Sequence, residues 1–202
     1  MARTKDESLH QERRLQILSA AAGVFKTKGF HAARTTEICV AAGLSAGTVF
    51  RYFESKDDII AAIVEMEMDG YRDQIEQLAT KEGLQSFAQL TVNELTALFA
   101  PSPFYLGTDS WLELFRNPKY RDTMQKQDLK LRRTLASALK RGQREAWVRP
   151  GLDPVGAANI IMALFSGLMF DAESNPKLDT DATAKALADL FQHFILNNST
   201  FS

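Results

Sequence analysis

Apolar residues recur with the period of an α-helix along almost the whole chain, and this spacing limits the fold more than any other feature of the sequence. Residues 15, 18, 22 and 25 lie on one face of a first helix, because positions three, four and seven apart share a helix face. No stretch alternates apolar and polar residues as a half-buried strand does. We therefore predict an all-α protein of nine or ten helices. The predicted separators between helices are Gly29, Gly43, Gly83, Pro101 with Pro103, Pro118, Pro150 with Gly151, and Pro176.

The segment DPVGAANIIMALFSGLMF, in a helix predicted over residues 153–172, is apolar on almost every side. A helix of this kind has to be covered all round, either inside one subunit or partly by a second subunit, and we favour the second arrangement. A further helix over 180–197 carries an apolar stripe. Both helices are therefore assigned to a homodimer interface, as a four-helix bundle across a two-fold axis. The predicted interface residues are Val155, Leu168, Leu187, Leu190, Phe191 and Phe194.

The composition is that of a globular chain, with 202 residues of which 45% are hydrophobic and 24% are charged. It has no apolar run of about eighteen residues, which argues against a membrane-spanning helix, and no signal-peptide pattern. The single cysteine, Cys39, excludes an internal disulfide and a cysteine-rich metal site, and we expect it to be a small core residue. We predict a cytoplasmic protein that binds no metal, no cofactor and no membrane.

The charge is distributed unevenly along the chain. Residues 1–57 carry nine Lys and Arg against six Asp and Glu, a net of +3, whereas the remaining residues carry 15 against 19, a net of −4. A basic end is a weak sign of an anionic partner such as nucleic acid. A shift of this size is also typical of a solvated surface.

The segment TTEICVAAGLSAGTVFRYFESKDDII, residues 35–60, has the features of a helix-turn-helix. We expect Thr35 and Thr36 to cap a short helix, since a hydroxyl oxygen accepts from the free N–H groups at a helix start. Gly43 is placed to end that helix, because glycine adopts the left-handed conformation without strain. Ser45 is expected to cap a second helix directly after it. Two short helices joined by a turn that contains glycine form this motif.

The second helix of the motif presents an outward face that suits a groove of DNA. Small residues at its start allow a close approach of the backbone, and the free N–H groups there favour a phosphate. Thr48 can contact a phosphate or a thymine methyl group, and Arg51 can bind guanine or phosphate. Tyr52 offers a stacking surface and a hydroxyl, and Lys56 follows as a cation aimed at the DNA backbone. The outward residues are Ala46, Gly47, Thr48, Arg51 and Tyr52.

These residues resemble the tetracycline-repressor (TetR) family of bacterial transcription regulators. The resemblance covers about residues 13–64 and rests on ILSAAAGVFKTKGF in the first helix, IxxxAGxSxGTxxxYF in the motif and SKDDI after it. It implies a three-helix DNA-binding domain, then a helical bundle that binds an inducer and dimerises through its last two long helices. The positions that it assigns to DNA contact are Thr35, Thr36, Ala46, Gly47, Thr48, Phe50, Arg51, Tyr52 and Lys56, and the cap residue Ser45 completes the predicted DNA site.

Two positions depart from the family pattern. The chain has Arg34 four residues before Ile38, where the family often has Ser or Thr, and Phe50 where the family usually has Tyr. The second change removes a hydroxyl that binds phosphate. Phe50 then either stays at the DNA interface or simply packs against the protein.

The resemblance divides the chain at residue 57. Residues 1–57, ordered from about residue 9, are assigned to the DNA-binding domain, and residues 58–202 to ligand binding and dimerisation. The second part is rich in aromatic residues, which is typical of an apolar ligand cavity and also of plain core. Asn159, a polar exception in its helix, is expected to be buried and to meet a ligand or to pair across the dimer. The predicted pocket residues are Phe104, Trp111, Phe115, Asn159, Met162 and Phe165.

Together these features predict a transcriptional regulator, a ligand-released repressor that binds a palindromic double-stranded DNA operator as a homodimer and responds to a small-molecule inducer. The alternative is an architectural DNA-binding protein without small-molecule control. An enzyme is the rival class. The sequence has no nucleophile elbow, glycine-rich phosphate loop or His-Glu-Xaa-Xaa-His motif, so we predict a protein without enzymatic activity.

Overall fold

The computed structural model describes residues 2–100 and 102–197, apart from the side chains of residues 2–6 and Phe99. These residues form ten α-helices and no β-strand, which confirms the predicted all-α fold. A π-helical segment, Phe191–Ile195, continues the last helix. The helices are α1 (Ala2–Ala32), α2 (Thr35–Ala42), α3 (Ala46–Tyr52), α4 (Lys56–Leu78), α5 (Lys81–Phe87), α6 (Val92–Phe99), α7 (Thr108–Arg116), α8 (Pro118–Arg144), α9 (Pro154–Ser174) and α10 (Thr180–Leu190).

The chain packs into two compact units. The first unit consists of Met1–Gly70 and Pro101–Tyr120, and the second consists of Tyr71–Ala100 and Arg121–Ser202. The divisions therefore fall within α4 and α8 and not at residue 57. The predicted division at residue 57 separates a DNA-binding part from a ligand-binding part. It is a division by function, which the contacts do not test, so it stays a prediction.

Gly29 interrupts the first helix at the predicted position. It adopts a φ of 72° and a ψ of 167°, which is not helical and lies at a positive φ that strains residues with a Cβ. The Ala33 N–H donates to the Gly29 carbonyl at 3.3 Å. The chain changes direction here and then enters α2.

Gly83 does not separate two helices, contrary to the prediction. It lies inside α5, and the Thr80 hydroxyl, which caps this helix, accepts from the Gly83 N–H at 2.9 Å. A Cβ at position 83 would lie 2.1 Å from the carbonyl oxygen of Gln77 in α4. Glycine is therefore required here by a close approach of two backbone segments and not by a break in the helix.

The core of the second unit draws apolar side chains from α4 to α6 and from α8 to the C-terminal π-helical segment. Phe87 contacts both Phe165 and Phe191, with ring centroids 5.2 and 5.1 Å apart. Leu187 and Phe191 are buried in this core. This corrects the expectation that both side chains face a partner subunit, because they pack on their own unit. Phe194, another predicted interface residue, is 38% exposed, so its place in an interface stays a prediction.

The helix α9 is buried along one side only. Asp153 caps it, because its carboxylate accepts from the Val155 and Gly156 N–H groups at 3.1 and 3.3 Å. Ile160 and Phe170, on the side opposite its buried residues, are 50% and 54% exposed, and Val155, near the start of the helix, is 61% exposed. As predicted, the apolar surface of this helix is incompletely covered. Two of its exposed residues, Ile160 and Phe170, were not among the predicted interface residues. The buried residues are Ala157, Ala158, Ile161, Met162 and Phe165.

By length and composition alone, α9 is apolar enough to cross a membrane. Asn159 and Ser166 interrupt its apolar run, so the sequence has no unbroken run of about eighteen apolar residues, but the helix is apolar overall. Of the 18 consecutive residues of α9 that pass this test, 28% are buried inside the second unit. The core helix of a globular unit passes the same test of length and composition.

Candidate nucleic-acid interface

The first helix of the motif, α2, is capped by a carboxylate. Arg34 occupies the position before the helix, and the Glu37 side chain accepts from the Arg34 N–H at 3.0 Å. Thr35 and Thr36 already belong to the helix, so the predicted hydroxyl cap is wrong; a glutamate in the first turn satisfies the free donor instead. The Lys28 ammonium pairs with Glu37 at 2.6 Å and fastens α2 to α1. The hydrogen bond from Lys28 and that from the backbone of Arg34 hold the pKa of the Glu37 carboxyl below its ordinary value.

The turn between α2 and α3 has the predicted conformation. Gly43 is left-handed, with a φ of 63° and a ψ of 30°, and the Leu44 N–H donates to the Cys39 carbonyl at 3.0 Å. This closes the end of α2, whose last carbonyls have no partner within the helix. Ser45 then caps α3 as predicted, because its hydroxyl accepts from the Thr48 N–H at 3.2 Å.

The inward faces of α2 and α3 hold the motif on the rest of the first unit. Ile38 and Val49 are fully buried, and Cys39 and Phe53 are nearly so. Cys39 is therefore the small core residue that was predicted. The Gln16 side chain of α1 donates to the carbonyl of the last residue of α2 at 2.7 Å. Apolar packing and hydrogen bonds to α1 together fix the position of α3.

The outward face of α3 combines small residues with two large side chains. Ala46, Gly47 and Arg51 are exposed, and Phe50 is 48% exposed. Of the two alternatives for Phe50, the structure therefore supports the surface position. An apolar ring at this place is suited to contact a thymine methyl group. Thr48 is half-buried, and its hydroxyl lies 2.9 Å from that of the capping serine.

Neighbouring side chains hold Tyr52 at the end of α3. The ring of His10, from α1, lies beside it with centroids 4.6 Å apart, and the Arg51 guanidinium lies 5.4 Å from the centroid of the Tyr52 ring. The face of a tyrosine ring attracts a cation, which restricts the orientations of Arg51. Sequence reasoning missed His10, because its contact depends on how α1 lies against α3.

Lys56, the first residue of α4, is directed to the end of α1. Its ammonium donates to the carbonyls of Phe30 and Ala33 at 2.6 and 3.0 Å. The sequence predicted that this side chain is aimed at the DNA backbone, and these two hydrogen bonds within the protein were not foreseen. An ammonium has three protons, so a phosphate contact through the third proton stays a prediction. The ten residues predicted to contact DNA all lie in the first unit, from the start of α2 to the start of α4.

The six predicted pocket residues divide between the two units. Asn159 is exposed, not buried as predicted, and its side-chain oxygen lies 3.4 Å from the Arg132 guanidinium. It lies on the exposed side of α9, so the alternative that it pairs across a dimer stays a prediction. A cavity of about 790 Å³ in the first unit is lined in part by Leu112 and Tyr120 and by none of the six. Phe104, Trp111 and Phe115 belong to the first unit, and Asn159, Met162 and Phe165 to the second.

A left-handed glycine turn between two short capped helices, with an arginine exposed on the second, defines a helix-turn-helix DNA-binding protein. A family model described as "Bacterial regulatory proteins, tetR family" matches residues 17–63. A second, described as "BetI-type transcriptional repressor, C-terminal", matches residues 105–196. The chain belongs to the TetR family of bacterial transcriptional regulators.

Individual relatives agree with this assignment. The chain is 25% identical over 170 residues to the HTH-type transcriptional regulator UidR of Escherichia coli K12, which covers 81% of this chain and 83% of that protein. A transcriptional regulator from Saccharomonospora viridis, solved in complex with choline, has a TM-score of 0.68 at 24% identity and covers 92% of this chain and 98% of its own. FadR from Bacillus subtilis, solved in complex with stearoyl-CoA, has a TM-score of 0.65 at 23% identity, with 88% and 96% covered. The two structures share the fold of this chain.

Proposed function

We propose that the protein is a cytoplasmic, ligand-released repressor that binds a palindromic DNA operator as a homodimer. The observation that carries the proposal is the exposed face of α3. The Ser45 cap fixes the start of this helix, and near its end Arg51 is held beside Tyr52. An arginine in this position is suited to bind guanine or to pair with phosphate.

The exposed side of α9 supports the homodimer. One recognition helix covers only a few base pairs, so a stable complex needs two helices on half-sites about 34–36 Å apart. Ile160 and Phe170 are half exposed on α9, although apolar area gains about 25 cal/mol per Å² when it is buried. A symmetric dimer that joins the two copies of this surface would bury it on both.

Regulation by a small molecule is supported by the family of the C-terminal region and by the ligand-bound structural neighbours. Those neighbours hold choline and stearoyl-CoA on one fold. For this chain we propose an apolar or aromatic-compatible ligand. To lower operator occupancy tenfold, it must prefer the form that does not bind DNA by about 1.4 kcal/mol, because a ligand shifts an equilibrium only by its differential affinity.

The operator is identified by sequencing genomic DNA that is recovered with the protein, and its affinity is then measured. We expect Arg51→Ala to lose about 1–3 kcal/mol on the operator and less on unrelated DNA, since it removes a base contact. The matched control is Lys177→Ala, an exposed cation of the second unit. Full operator binding by a variant with both Thr48→Ala and Arg51→Ala would show that α3 is not the recognition helix.

The architectural alternative is tested with the ligand. Small molecules that co-purify with the protein are identified by mass spectrometry and are added back to the protein–operator complex. A regulator releases DNA, whereas an architectural protein shows no change. Because the predicted pocket residues divide between the units, Trp111→Phe tests the first unit and Phe165→Leu tests the second, each by ligand affinity and operator release.

A further inference from the structure

The helix α8 carries far more positive charge than the rest of the chain. It contains nine Lys and Arg against two Asp, a net of +7, whereas the whole chain has a net charge of −1. All other residues together therefore carry −8. The acidic balance after residue 57 conceals this single strongly basic helix.

Seven of these cations lie on one face of α8, and we call the six of them that belong to the second unit the basic stripe. At 100° per residue they fall within an arc of about 100°, and at a rise of 1.5 Å per residue they extend over about 27 Å. All six are exposed and belong to the second unit. The basic stripe consists of Lys126, Lys130, Arg133, Lys140, Arg141 and Arg144.

No carboxylate of the described residues forms an ion pair with the basic stripe. Asp128 pairs with Arg132 at 2.8 Å, on another side of the helix. Asp122 pairs with its neighbour Arg121 at 3.5 Å. Within α8 only Asp122, four residues before Lys126, lies on the face of the basic stripe. The six like charges therefore repel one another with little counter-charge from their own helix, and an external anion lowers this repulsion.

A shallow cavity of about 360 Å³ opens in the middle of the basic stripe. Thr134 and Ser137 also line it, and the Arg141 guanidinium donates to the Ala79 carbonyl beside it at 3.4 Å. Hydroxyl, ammonium and guanidinium groups are the donors that contact phosphate oxygens in protein–DNA complexes. The remaining cations at the cavity are Lys130 and Arg133.

We propose that the basic stripe binds the phosphate backbone of double-stranded DNA without reading its sequence, as a second contact besides the helix-turn-helix. Duplex DNA carries one negative charge per 1.7 Å of its axis, so a stripe of about 27 Å faces the phosphates of about eight base pairs. The stripe offers cations and hydroxyls but no Asn or Gln for base edges. An anionic membrane fits less well, since a surface-bound helix needs several large apolar side chains beside its cations, whereas Leu129 is the only large apolar side chain of α8 that is exposed.

The test compares two triple variants with the same loss of charge. The stripe variant is Lys130→Gln, Arg133→Gln and Lys140→Gln, and the control variant is Lys81→Gln, Lys177→Gln and Lys185→Gln; all six side chains are exposed cations of the second unit. Binding of the full chain to a fluorescent duplex of unrelated sequence is measured by anisotropy over about 50–200 mM salt. We expect the stripe variant to lose roughly 2–3 units of the slope of log K against log salt and at least about tenfold in affinity. The control variant should lose less than one unit of slope.

Equal slopes for the two variants would overturn the proposal. It would also be overturned if the stripe variant kept its DNA binding but no longer bound a polyglutamate peptide, because the occupant would then be an acidic protein segment. Unchanged thermal unfolding and sedimentation of both variants show that the fold is intact. Repeating the comparison with Arg51→Ala in both variants separates the two DNA contacts, because a failure of the stripe leaves sequence-specific binding by α3 unaffected.

Discussion

Lys56 provides the donor that two backbone carbonyls at the end of α1 require. Its ammonium reaches Phe30 and Ala33, beyond the break at Gly29, where the carbonyls no longer have partners within a regular helix. Single side chains of this kind hold the helices of the first unit in place. Glu37 has a related role at the start of α2, where it accepts from the backbone of Arg34 and from Lys28.

Lys56→Met should destabilise the folded protein even without DNA. The methionine keeps the apolar stem but leaves two half-buried carbonyls without their charged donor, which costs about 1–3 kcal/mol of unfolding free energy. Urea unfolding measures this, with Lys177→Met as the exposed control. Equal stability of the two variants would show that the carbonyls of Phe30 and Ala33 find water instead. If Lys56 also contacts a DNA phosphate, Lys56→Met should in addition lower the slope of log K against log salt by about one unit, because that contact is lost.

The pH dependence of stability should report the cap of α2. The folded pKa of Glu37 is lowered, so the stabilisation by its carboxylate is complete above the unfolded pKa of about 4.3. It is lost as the pH falls through the lower folded value. The stability difference between the wild type and Glu37→Gln should therefore be constant above about pH 5 and close in acid. A difference that persists unchanged at about pH 2 would mean that the charge of Glu37 does not stabilise the cap.

The junction of α4 and α5 depends on the absence of a side chain at position 83. The Thr80 hydroxyl caps α5 while the backbone of Gly83 approaches the Gln77 carbonyl, so the two helices meet more closely than a Cβ allows. The opposite case is Gly70, in the exposed part of α4, where a Cβ would meet nothing within 4 Å. Replacing these two glycines with alanine should therefore change the free energy of unfolding in opposite directions.

Gly83→Ala should lower the unfolding free energy by about 2 kcal/mol or more, because backbone atoms have to move apart. Gly70→Ala should raise it by about 0.5–1 kcal/mol, since alanine is the better helix former. Thermal unfolding of the two variants side by side tests both signs. A neutral Gly83→Ala would mean that the α4–α5 junction relaxes at little cost.

The assembly of the whole molecule depends on which side of α9 remains uncovered. Leu187 and Phe191 are buried within one chain, whereas Ile160 and Phe170 are half exposed. A charge at position 160 would therefore lie in the proposed dimer interface, whereas a charge at position 187 would disrupt the core. Comparing a charge at position 160 with one at position 187 therefore separates loss of dimerisation from loss of folding.

Ile160→Glu should convert the dimer to monomers that remain folded. Burying two unpaired carboxylates across a two-fold axis is strongly unfavourable, and each monomer keeps its own core. Sedimentation equilibrium measures the mass and circular dichroism the fold, with Leu129→Glu on the exposed surface of α8 as the control. If the Ile160→Glu protein sediments as an unchanged dimer, α9 does not form the interface.

Local features of this fold were predictable because short-range rules govern them. The helical period, the break at Gly29, the left-handed turn at Gly43 and the Ser45 cap each depend on a few adjacent residues and their backbone preferences. The inward position of Val49 follows in the same way from spacing along one helix. The helices and the turn of the helix-turn-helix were therefore determined by the sequence alone, whereas the cap of α2 is formed by Glu37 and not by the predicted Thr35 and Thr36.

Only the tertiary structure decided where individual side chains of each helix point and what they meet. Lys56 donates to backbone carbonyls at the end of α1, and Asn159 is exposed on α9. Phe191 of the last helical segment is buried, whereas Ile160 of α9 is exposed. Periodicity identifies an apolar face but not the element that covers it, and a lysine or an asparagine selects its partner from groups distant in sequence. The arc of cations on α8 follows from helix geometry, but that it lacks carboxylate partners depends on packing. These outcomes depend on contacts between helices, which the spacing of residues along one helix does not specify.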